Sequence, residues 1–469
     1  MKLWDFQKYR ELTAVITDAG QCYYYRDLDR MQQEFFSNIR QGSLVCIFAE
    51  NDMASLIAYL ACLLHGVVSV ILPAAGDPVL NGSVLQEYEP DYIWLSSGRY
   101  EQSSDRFTRY GDIVYLWDYV LLERGIQDRR KLHPDLALLL PTSGSTGSPR
   151  LVRLSVQNIR QNTVSICSYM KITSVDRAVT SLPLSYTYGL SLVNTLLYAG
   201  GSILLTGKSV VRHSFWRDLE QYGVTIFSGV PYSYECMKKM NVKIAGLEKL
   251  RMLTQAGGKL TEELQGYWGM RAFDAGKQFI VMYGQTEATA RIAYLPWEDC
   301  LKKPGSVGIA IPGTQLELRD QAGCRITVAY EAGEIICRGG QVSMGYAERR
   351  EDLALGDTNQ GCLHTGDTGH FDEDGYLYID GRMNRFAKIY GKRIDLCRVE
   401  KTASGMWERE VIVLSDDKKL YLYTNEDVTE SALTLLGRQT GLGKEVMEVR
   451  RWGELPRQEN GKVNYKFFT

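Results

Sequence analysis

Short apolar runs recur along much of the chain and are nearly continuous rather than alternating with polar residues. Segments with the apolar spacing of helices, such as 155–170, lie between them. Strands covered by helices on both faces have this pattern, because neither face meets water. It predicts an α/β architecture with mainly parallel sheet. The predicted strands lie at 43–50, 67–73, 91–97, 136–142, 177–184, 201–207 and 223–230.

The segment 53–72 contains no Asp, Glu, Lys or Arg. It is about as long as one bilayer span. However, Gly66 divides it into a helix-like part and a β-branched part that Pro73 ends. Length and β-branching therefore favour a buried helix followed by a buried strand, with a membrane span as the alternative.

Composition narrows the class of protein. The chain has 469 residues, of which 45% are hydrophobic and 23% charged. These values are typical of a soluble protein with more than one domain. A net charge of −2 indicates no nucleic-acid partner. The N-terminal residues have no apolar signal-peptide core, and the ten cysteines form no CxxC motif. We therefore expect a cytoplasmic protein with free thiols.

The character of the chain changes after about residue 380. The stretch 381–394 has five basic residues and no acidic one, and strand-like runs follow at 409–415 and 419–425. This predicts a linker between a large N-terminal domain, 1–381, and a small C-terminal α+β domain, 382–469. The alternative is one continuous fold in which the basic stretch is a solvated loop.

The stretch PTSGSTGSPR at 141–150 follows a predicted strand. Glycine allows close approach of the backbone to an anion, and the amides and hydroxyls can donate to phosphate oxygens. No Gly-Lys-Ser/Thr closes it, so it is not a Walker A loop. By itself it is equally typical of a flexible surface loop.

Three further motifs follow in order: MYGQTEA at 282–288, HTGDTG at 364–369 and PRQENGKV at 456–463. Together with 141–150, they resemble the adenylate-forming superfamily of AMP-dependent synthetases and ligases. That superfamily includes acyl-CoA synthetases, peptide-synthetase adenylation domains and luciferases. The resemblance extends to 23–35 and 53–72. It implies a multi-subdomain N-terminal α/β domain and a small mobile C-terminal domain that carries the catalytic lysine.

The implied activity has two steps. A carboxylic acid reacts with ATP to give acyl-AMP and pyrophosphate, and the acyl group then passes to a thiol. The implied cofactors are ATP, Mg²⁺ and CoA, with a phosphopantetheinyl carrier protein as the alternative acceptor. A non-catalytic nucleotide-binding relative is the alternative of another class. Arg150 and Val156 motivate it, because the superfamily usually has lysine and histidine there.

The resemblance also implies roles for individual residues. Lys462 would stabilise the transition state, Thr286 would contact the α-phosphate, and Glu287 would hold Mg²⁺. Arg382 would also reach the nucleotide. The remaining implied nucleotide contacts are Thr142, Ser143, Gly144, Ser145, Thr146, Gly147, Arg150, Gly257, Gly258, Tyr283, Gly284 and Asp367.

Tyr186, Tyr188 and Tyr232 are predicted to line the acyl pocket. Relatives that activate amino acids often carry Asp at the position of Tyr186, so we expect a fatty or aromatic acid without an α-ammonium group. The alternative is that these tyrosines are only core residues. The resemblance makes Asn384 the hinge, although Asp or Lys is usual there. It assigns Lys388 and Gly391 to the thiol step.

Overall fold

The computed structural model describes residues 3–125, 131–141, 150–383, 386–389, 392–416, 419–440, 442–453, 456, 457, 463 and 467. The chain divides into two compact units. The first is Met1–Gln315 with Cys337–Leu363, and the second is Leu316–Ile336 with His364–Thr469. The sequence predicts a different division, in which residues 382–469 move as a small domain relative to 1–381. That boundary stays a prediction.

The first unit contains a sheet whose central strands are parallel and whose edges are antiparallel. The central strands are buried along almost their whole length, as the continuous apolar runs predict. In spatial order the strands are β20 (Tyr346–Ala347), β9 (Leu151–Ser155), β8 (Leu136–Pro141), β4 (Val68–Pro73), β3 (Leu44–Ala49), β5 (Tyr92–Ser96), β7 (Tyr119–Arg124) and β6 (Tyr110–Leu116).

A second series of strands in this unit is parallel from β14 (Gln278–Tyr283) to β1 (Thr13–Thr17), with antiparallel neighbours at both ends. The run predicted at 177–184 is a strand only at its start, because the Ser181 amide donates to the Val179 carbonyl and the Asn51 side chain donates to the carbonyls of residues 180 and 182. In spatial order the strands are β16 (Ser306–Ala310), β15 (Ala293–Tyr294), β14 (Gln278–Tyr283), β13 (Met252–Gln255), β12 (Ile226–Gly229), β10 (Arg177–Val179), β11 (Ser202–Leu205), β1 (Thr13–Thr17) and β2 (Cys22–Tyr24).

Helices cover these sheets, and the predicted helix–strand unit at 53–72 is present. The Asp52 side chain caps α2 (Met53–His65) by accepting from the Ser55 amide, and Gly66 ends the helix at φ 68°. In the described part of the chain, no helix has the length and apolar character needed to cross a membrane. The helices are α1 (Tyr25–Phe36), α2 (Met53–His65), α3 (Pro78–Tyr88), α4 (Ser97–Ser103), α5 (Val156–Met170), α6 (Thr187–Ala199), α7 (His213–Gln221), α8 (Pro231–Lys239) and α9 (Glu262–Asp274).

The second unit has two series of strands, a hairpin and two helices. The first series in spatial order is β18 (Arg325–Ile326), β17 (Thr314–Arg319), β19 (Gly333–Gly339), β21 (Cys362–Phe371) and β22 (Leu377–Arg382). The hairpin is β23 (Phe386–Ile389) with β24 (Lys392–Asp395). The second series is β25 (Ile412–Ser415), β26 (Leu420–Thr424) and β27 (Met447–Arg451), and the helices are α10 (Leu396–Trp407) and α11 (Glu430–Thr440).

The predicted strands at 409–415 and 419–425 contain β25 and β26. The basic stretch at 381–394, whose role as a linker stays a prediction, contains the end of β22 and most of the hairpin. The hairpin has an apolar pair between the basic residues. Ala387 and Ile394 face each other across the hairpin and lie in the core of this unit.

Candidate functional site

The carboxyl ends of the parallel strands β12, β13 and β14 lie side by side in the first unit. Gly229 is paired in register with Gln255, and Gln255 with Val281. Ligands of open α/β sheets bind outside this edge, where the loops leave the strands. The connections after β13 and β14 carry the Gly257–Gly258 pair and residues 284–287, and helix α8, which follows β12, carries Tyr232 in its first turn.

Thr286 lies in a 3-10 turn after β14 and contacts the start of helix α6. Its Oγ1 is 2.9 Å from Oγ1 of Thr187, the first residue of that helix. The contact brings the loop after β14 to a helix N-terminus, where amides and the helix dipole favour an anion. Sequence reasoning missed Thr187, since a threonine before an apolar helix has no distinctive local pattern.

Glu287 is oriented by a hydrogen bond from another strand. The phenol of Tyr346 in β20 donates to Glu287 Oε1 at 2.8 Å. The guanidinium of Arg150 lies 3.3 Å from the centroid of the Tyr346 ring, a cation–π contact. Tyr346 therefore links the cation that follows the predicted phosphate loop to the carboxylate predicted to hold Mg²⁺. Sequence reasoning missed Tyr346 as well.

The carboxylate of Glu287 fits a magnesium ion in its chemistry. Mg²⁺ prefers oxygen ligands and is usually bound by one or two carboxylates plus substrate phosphates. Within the described residues, no group of three or more His, Cys, Asp or Glu side chains forms a metal site. A lone, oriented carboxylate agrees with the arrangement in which phosphates supply further ligands.

Gly257 has a φ of 84° and lies beneath a tyrosine. A Cβ at this position would collide with the phenol oxygen of Tyr186, so both conformation and space require glycine. Burial raises the pKa of Tyr186 to about 12, which keeps its phenol a proton donor at neutral pH. Gly284 is constrained by space alone, because a Cβ there would collide with the carbonyl group of Ala290.

The three predicted acyl-pocket tyrosines lie in the same region of the first unit. Tyr188 is 3% exposed, and its phenol is 2.8 Å from Thr254 Oγ1. The rings of Tyr186 and Tyr188 are edge to face at 6.3 Å. Tyr232, in the first turn of α8, is half-buried and packs against the same core. Tyr283, at the end of β14, is contacted by the amide of Gln285 at 3.3 Å.

In the second unit, Asp367 and Arg382 face each other across β21 and β22. Arg382 Nε donates to Asp367 Oδ1 at 3.0 Å. Asp367 is 5% exposed, whereas the Arg382 side chain is 62% exposed. The buried carboxylate is thus held by a cation that reaches solvent, a geometry that can exchange one partner for a ligand hydroxyl.

Several predicted residues lie outside the described part of the chain. These are Thr142, Ser143, Gly144, Ser145, Thr146, Gly147, Asn384, Gly391 and Lys462. The backbone of Lys388 belongs to β23 and pairs with Arg393 in β24.

Three comparisons place the chain among known proteins. It is 31% identical to an oxalate–CoA ligase of Arabidopsis thaliana, over 57% of this chain and 52% of that protein. It is 29% identical to a 2-succinylbenzoate–CoA ligase of Bacillus pumilus, over 67% and 66% respectively. These matches therefore span about half to two thirds of the relatives' lengths.

A solved structure is similar over nearly the whole chain. O-Succinylbenzoate coenzyme A synthetase from Bacillus subtilis, in complex with ATP and a magnesium ion, superimposes with a TM-score of 0.76 at 22% identity. The match covers 98% of this chain and 97% of that one. The family model described as AMP-binding enzyme matches residues 4–347. The chain belongs to the family of AMP-binding enzymes.

Proposed function

We propose that this protein activates a fatty or aromatic carboxylic acid with ATP as acyl-AMP and passes the acyl group to the thiol of CoA. The observation that carries the proposal is the pairing of Thr286 with Thr187 and of Glu287 with Tyr346. These contacts hold two oxygen-bearing side chains and a helix N-terminus together at the edge of the sheet. That combination suits a phosphate and its metal ion.

In the first step, a carboxylate oxygen of the acid attacks the α-phosphorus of ATP. The bond from that phosphorus to the bridging oxygen breaks, and pyrophosphate leaves with the electron pair. Residues 142–147 and Arg150 bind the phosphates, and Thr286 donates to the α-phosphate. Lys462 stabilises the negative charge of the in-line transition state. Mg²⁺ held by Glu287 supplies neutralisation of phosphate charge when it is bound.

The other proposed contacts orient the nucleotide and the acid. Tyr283 stacks on adenine, next to the backbone of Gly284, Gly257 and Gly258. Asp367 accepts from the ribose hydroxyls, and Arg382 supports it. The acid's carbon skeleton packs on Tyr186, Tyr188 and Tyr232.

In the second step, a thiolate attacks the acyl carbon, the carbon–oxygen bond to AMP breaks and AMP leaves. We assign Lys388 and Gly391 to this step and the hinge to Asn384. The moving body is residues 382–469. CoA is the proposed acceptor, and a phosphopantetheinyl carrier protein would use the same thiol arm. A cytoplasmic localisation agrees with the free thiols of the nine cysteines whose side chains the structure describes.

The test is the purified protein with ATP, Mg²⁺ and a panel of fatty and aryl acids. We expect acid-dependent release of AMP and pyrophosphate, and a thioester once CoA is added. A thioester formed only with a pantetheinylated carrier would replace CoA as the acceptor. Nucleotide binding without any acid-dependent pyrophosphate release would support the non-catalytic alternative instead.

Glu287→Gln is expected to reduce pyrophosphate exchange strongly at limiting Mg²⁺, because a neutral amide is a weaker ligand for a hard cation. Raising the Mg²⁺ concentration should recover part of the rate. Glu101→Gln, an exposed position in α4, is the matched control and should behave as the wild type. Unchanged kinetics at limiting Mg²⁺ for Glu287→Gln would reject its role as a metal ligand.

Tyr346→Phe is expected to raise the Mg²⁺ concentration needed for half-maximal exchange by about tenfold, the lower end for loss of a group that orients a metal ligand. The ring that Arg150 contacts is kept, so the change removes only the hydroxyl that donates to Glu287. The measurement is a Mg²⁺ titration at saturating ATP, with the exposed Tyr115→Phe as control. An unaltered titration curve would mean that Tyr346 does not orient Glu287.

A further inference from the structure

A buried arginine lies beside the predicted acyl-pocket tyrosines. Arg291, in the connection between β14 and β15, is 1% exposed. Its guanidinium lies 3.9 Å from the centroid of the Tyr188 ring. Nε is 3.3 Å from the sulfur of Met282, and Nη2 has no hydrogen-bond partner. In the part of the chain that the structure describes, Arg291 has no carboxylate within ion-pair distance.

The buried charges of other arginines in the first unit are stabilised by hydrogen bonds or an ion pair. Arg153 donates to the carbonyl oxygens of residues 344, 346, 355 and 356, and Arg350 pairs with Asp91. Burying a charge is costly unless it is paired or hydrogen-bonded. The cation–π contact with Tyr188 and the interaction with the Tyr169 phenol offset only part of this cost. Arg291 therefore carries a buried charge that the described residues leave without a counter-ion.

The backbone holds Arg291 in this inward position. Thr289 and Ala290, which precede it, have φ values of 55° and 114°. The value at Ala290 is strained for a residue with a side chain, and such strain is concentrated at functional sites. The amide of Ile292 donates to the Tyr283 carbonyl at 2.9 Å, which fixes the other end of the turn. The loop thus places a charge against the pocket at a cost to its own conformation.

One neighbour of Arg291, Tyr188, belongs to the predicted acyl pocket, whereas Met282 and Tyr169 belong to the core beside it. Tyr188, which contacts its guanidinium, follows Thr187, the residue that touches Thr286. The charge of Arg291 also acts on Tyr186, where it opposes the rise in pKa that burial causes. The arginine is therefore within electrostatic reach of the tyrosine that lies over Gly257.

We propose that Arg291 binds a second anionic group on the acyl substrate, so that the acids activated are those with a carboxylate or sulfonate distal to the reacting carboxyl. The proposal rests on the proposed acid activation. The Nε–Nη2 edge of a guanidinium binds two anionic oxygens side by side. Here Nη2 is unpaired and Nε faces only a thioether, a weak acceptor. The acid's skeleton, alkyl or aryl, packs on Tyr186, Tyr188 and Tyr232, as in the proposed function.

The test compares matched acids that differ in one charge: hexanoate with hexanedioate, and 3-phenylpropanoate with its 4-carboxy and 4-sulfo derivatives. The full chain is assayed for pyrophosphate exchange as wild type, Arg291→Met and Arg291→Lys, with the exposed Arg30→Met as control. We expect the wild type to prefer an anionic derivative about a hundredfold in kcat/KM, and Arg291→Met to lose that preference. The better of carboxylate and sulfonate identifies the group bound.

Activity of Arg291→Met with the uncharged-tail acids would show that its fold and catalytic groups are intact. Arg291→Lys keeps the positive charge but loses the paired N–H donors of the guanidinium, so it should retain part of the preference for the anionic derivatives. Equal rates for both members of every pair in the wild type would overturn the proposal. So would a preference that Arg291→Met leaves unchanged.

A binding measurement separates this proposal from the proposed function. The rise in Tm caused by each acid, with AMP present, is recorded for the same variants. If no acid supports pyrophosphate exchange, the proposed function fails. The Tm measurement then tests by itself whether Arg291 binds an anionic group. A rise in Tm with the two-charge acids that Arg291→Met abolishes supports the anion site. Equal rises in the wild type and Arg291→Met contradict it.

Discussion

Replacing Lys462 by alanine is expected to lower the rate of acyl-AMP formation by about a hundredfold or more, the range seen when a donor to a developing negative charge is lost. Phosphoryl-transfer chemistry relies on positioned charge rather than on covalent catalysis. The transfer of the acyl group from pre-formed acyl-AMP to CoA should keep its rate. That step breaks a carbon–oxygen bond and does not need a cation at the α-phosphate.

Single-turnover kinetics of each half-reaction measures this separation for Lys462→Ala. Lys419→Ala is the control, because it removes a lysine of the same unit that pairs only at the surface, with Glu448. A control rate close to that of the wild type in both steps would tie the loss to Lys462. An equal loss in both half-reactions for Lys462→Ala would show that this lysine does not act on adenylation alone.

Gly391→Trp is expected to slow acyl transfer and to spare acyl-AMP formation, the reverse of Lys462→Ala. An indole at this position should obstruct the thiol arm and slow acyl transfer by about a hundredfold, the order of loss for displaced reacting groups. Acyl-AMP formation should stay near the wild-type rate, because the proposal assigns Lys462 to that step and Lys388 and Gly391 to the other. Lys388→Ala should show the same selectivity.

Gly405→Trp is a suitable control for the bulk of the indole. Gly405 is an exposed residue of α10, and a side chain built there meets no atom within 4 Å. Its variant should retain both half-reactions. If Gly391→Trp and Lys462→Ala lost both steps equally, one fixed pose would explain the data. The alternating arrangement of residues 382–469 would then have to be abandoned.

The parallel sheets could be predicted from the sequence because strands buried on both faces appear as continuous apolar runs. Helix α2 could be predicted for a similar reason, since Gly66 and Pro73 mark where the helix and the strand end. The hairpin at 386–395 was missed, because its apolar pair Ala387 and Ile394 lies within a stretch dominated by basic residues.

The ordered motifs identified the candidate site, but the side chains that support it could not be predicted. Tyr346 is 59 positions from Glu287, and Thr187 is 99 positions from Thr286. Neither residue has a local pattern that indicates its partner, because the contact exists only once distant strands and helices have assembled. The role proposed for Arg291 could not be predicted either, since its burial and missing counter-ion are properties of the folded chain.

The central claim is that the acid's carboxylate attacks the α-phosphorus of ATP, and an oxygen label tests it most directly. The protein is incubated with ATP, Mg²⁺, CoA and an acid whose carboxyl oxygens are ¹⁸O. The masses of the AMP and pyrophosphate formed are then measured by mass spectrometry. We expect AMP with one ¹⁸O atom and unlabelled pyrophosphate, because the attacking oxygen stays on phosphorus when the thiol takes the acyl group. Unlabelled AMP, or ADP with phosphate, would contradict the account.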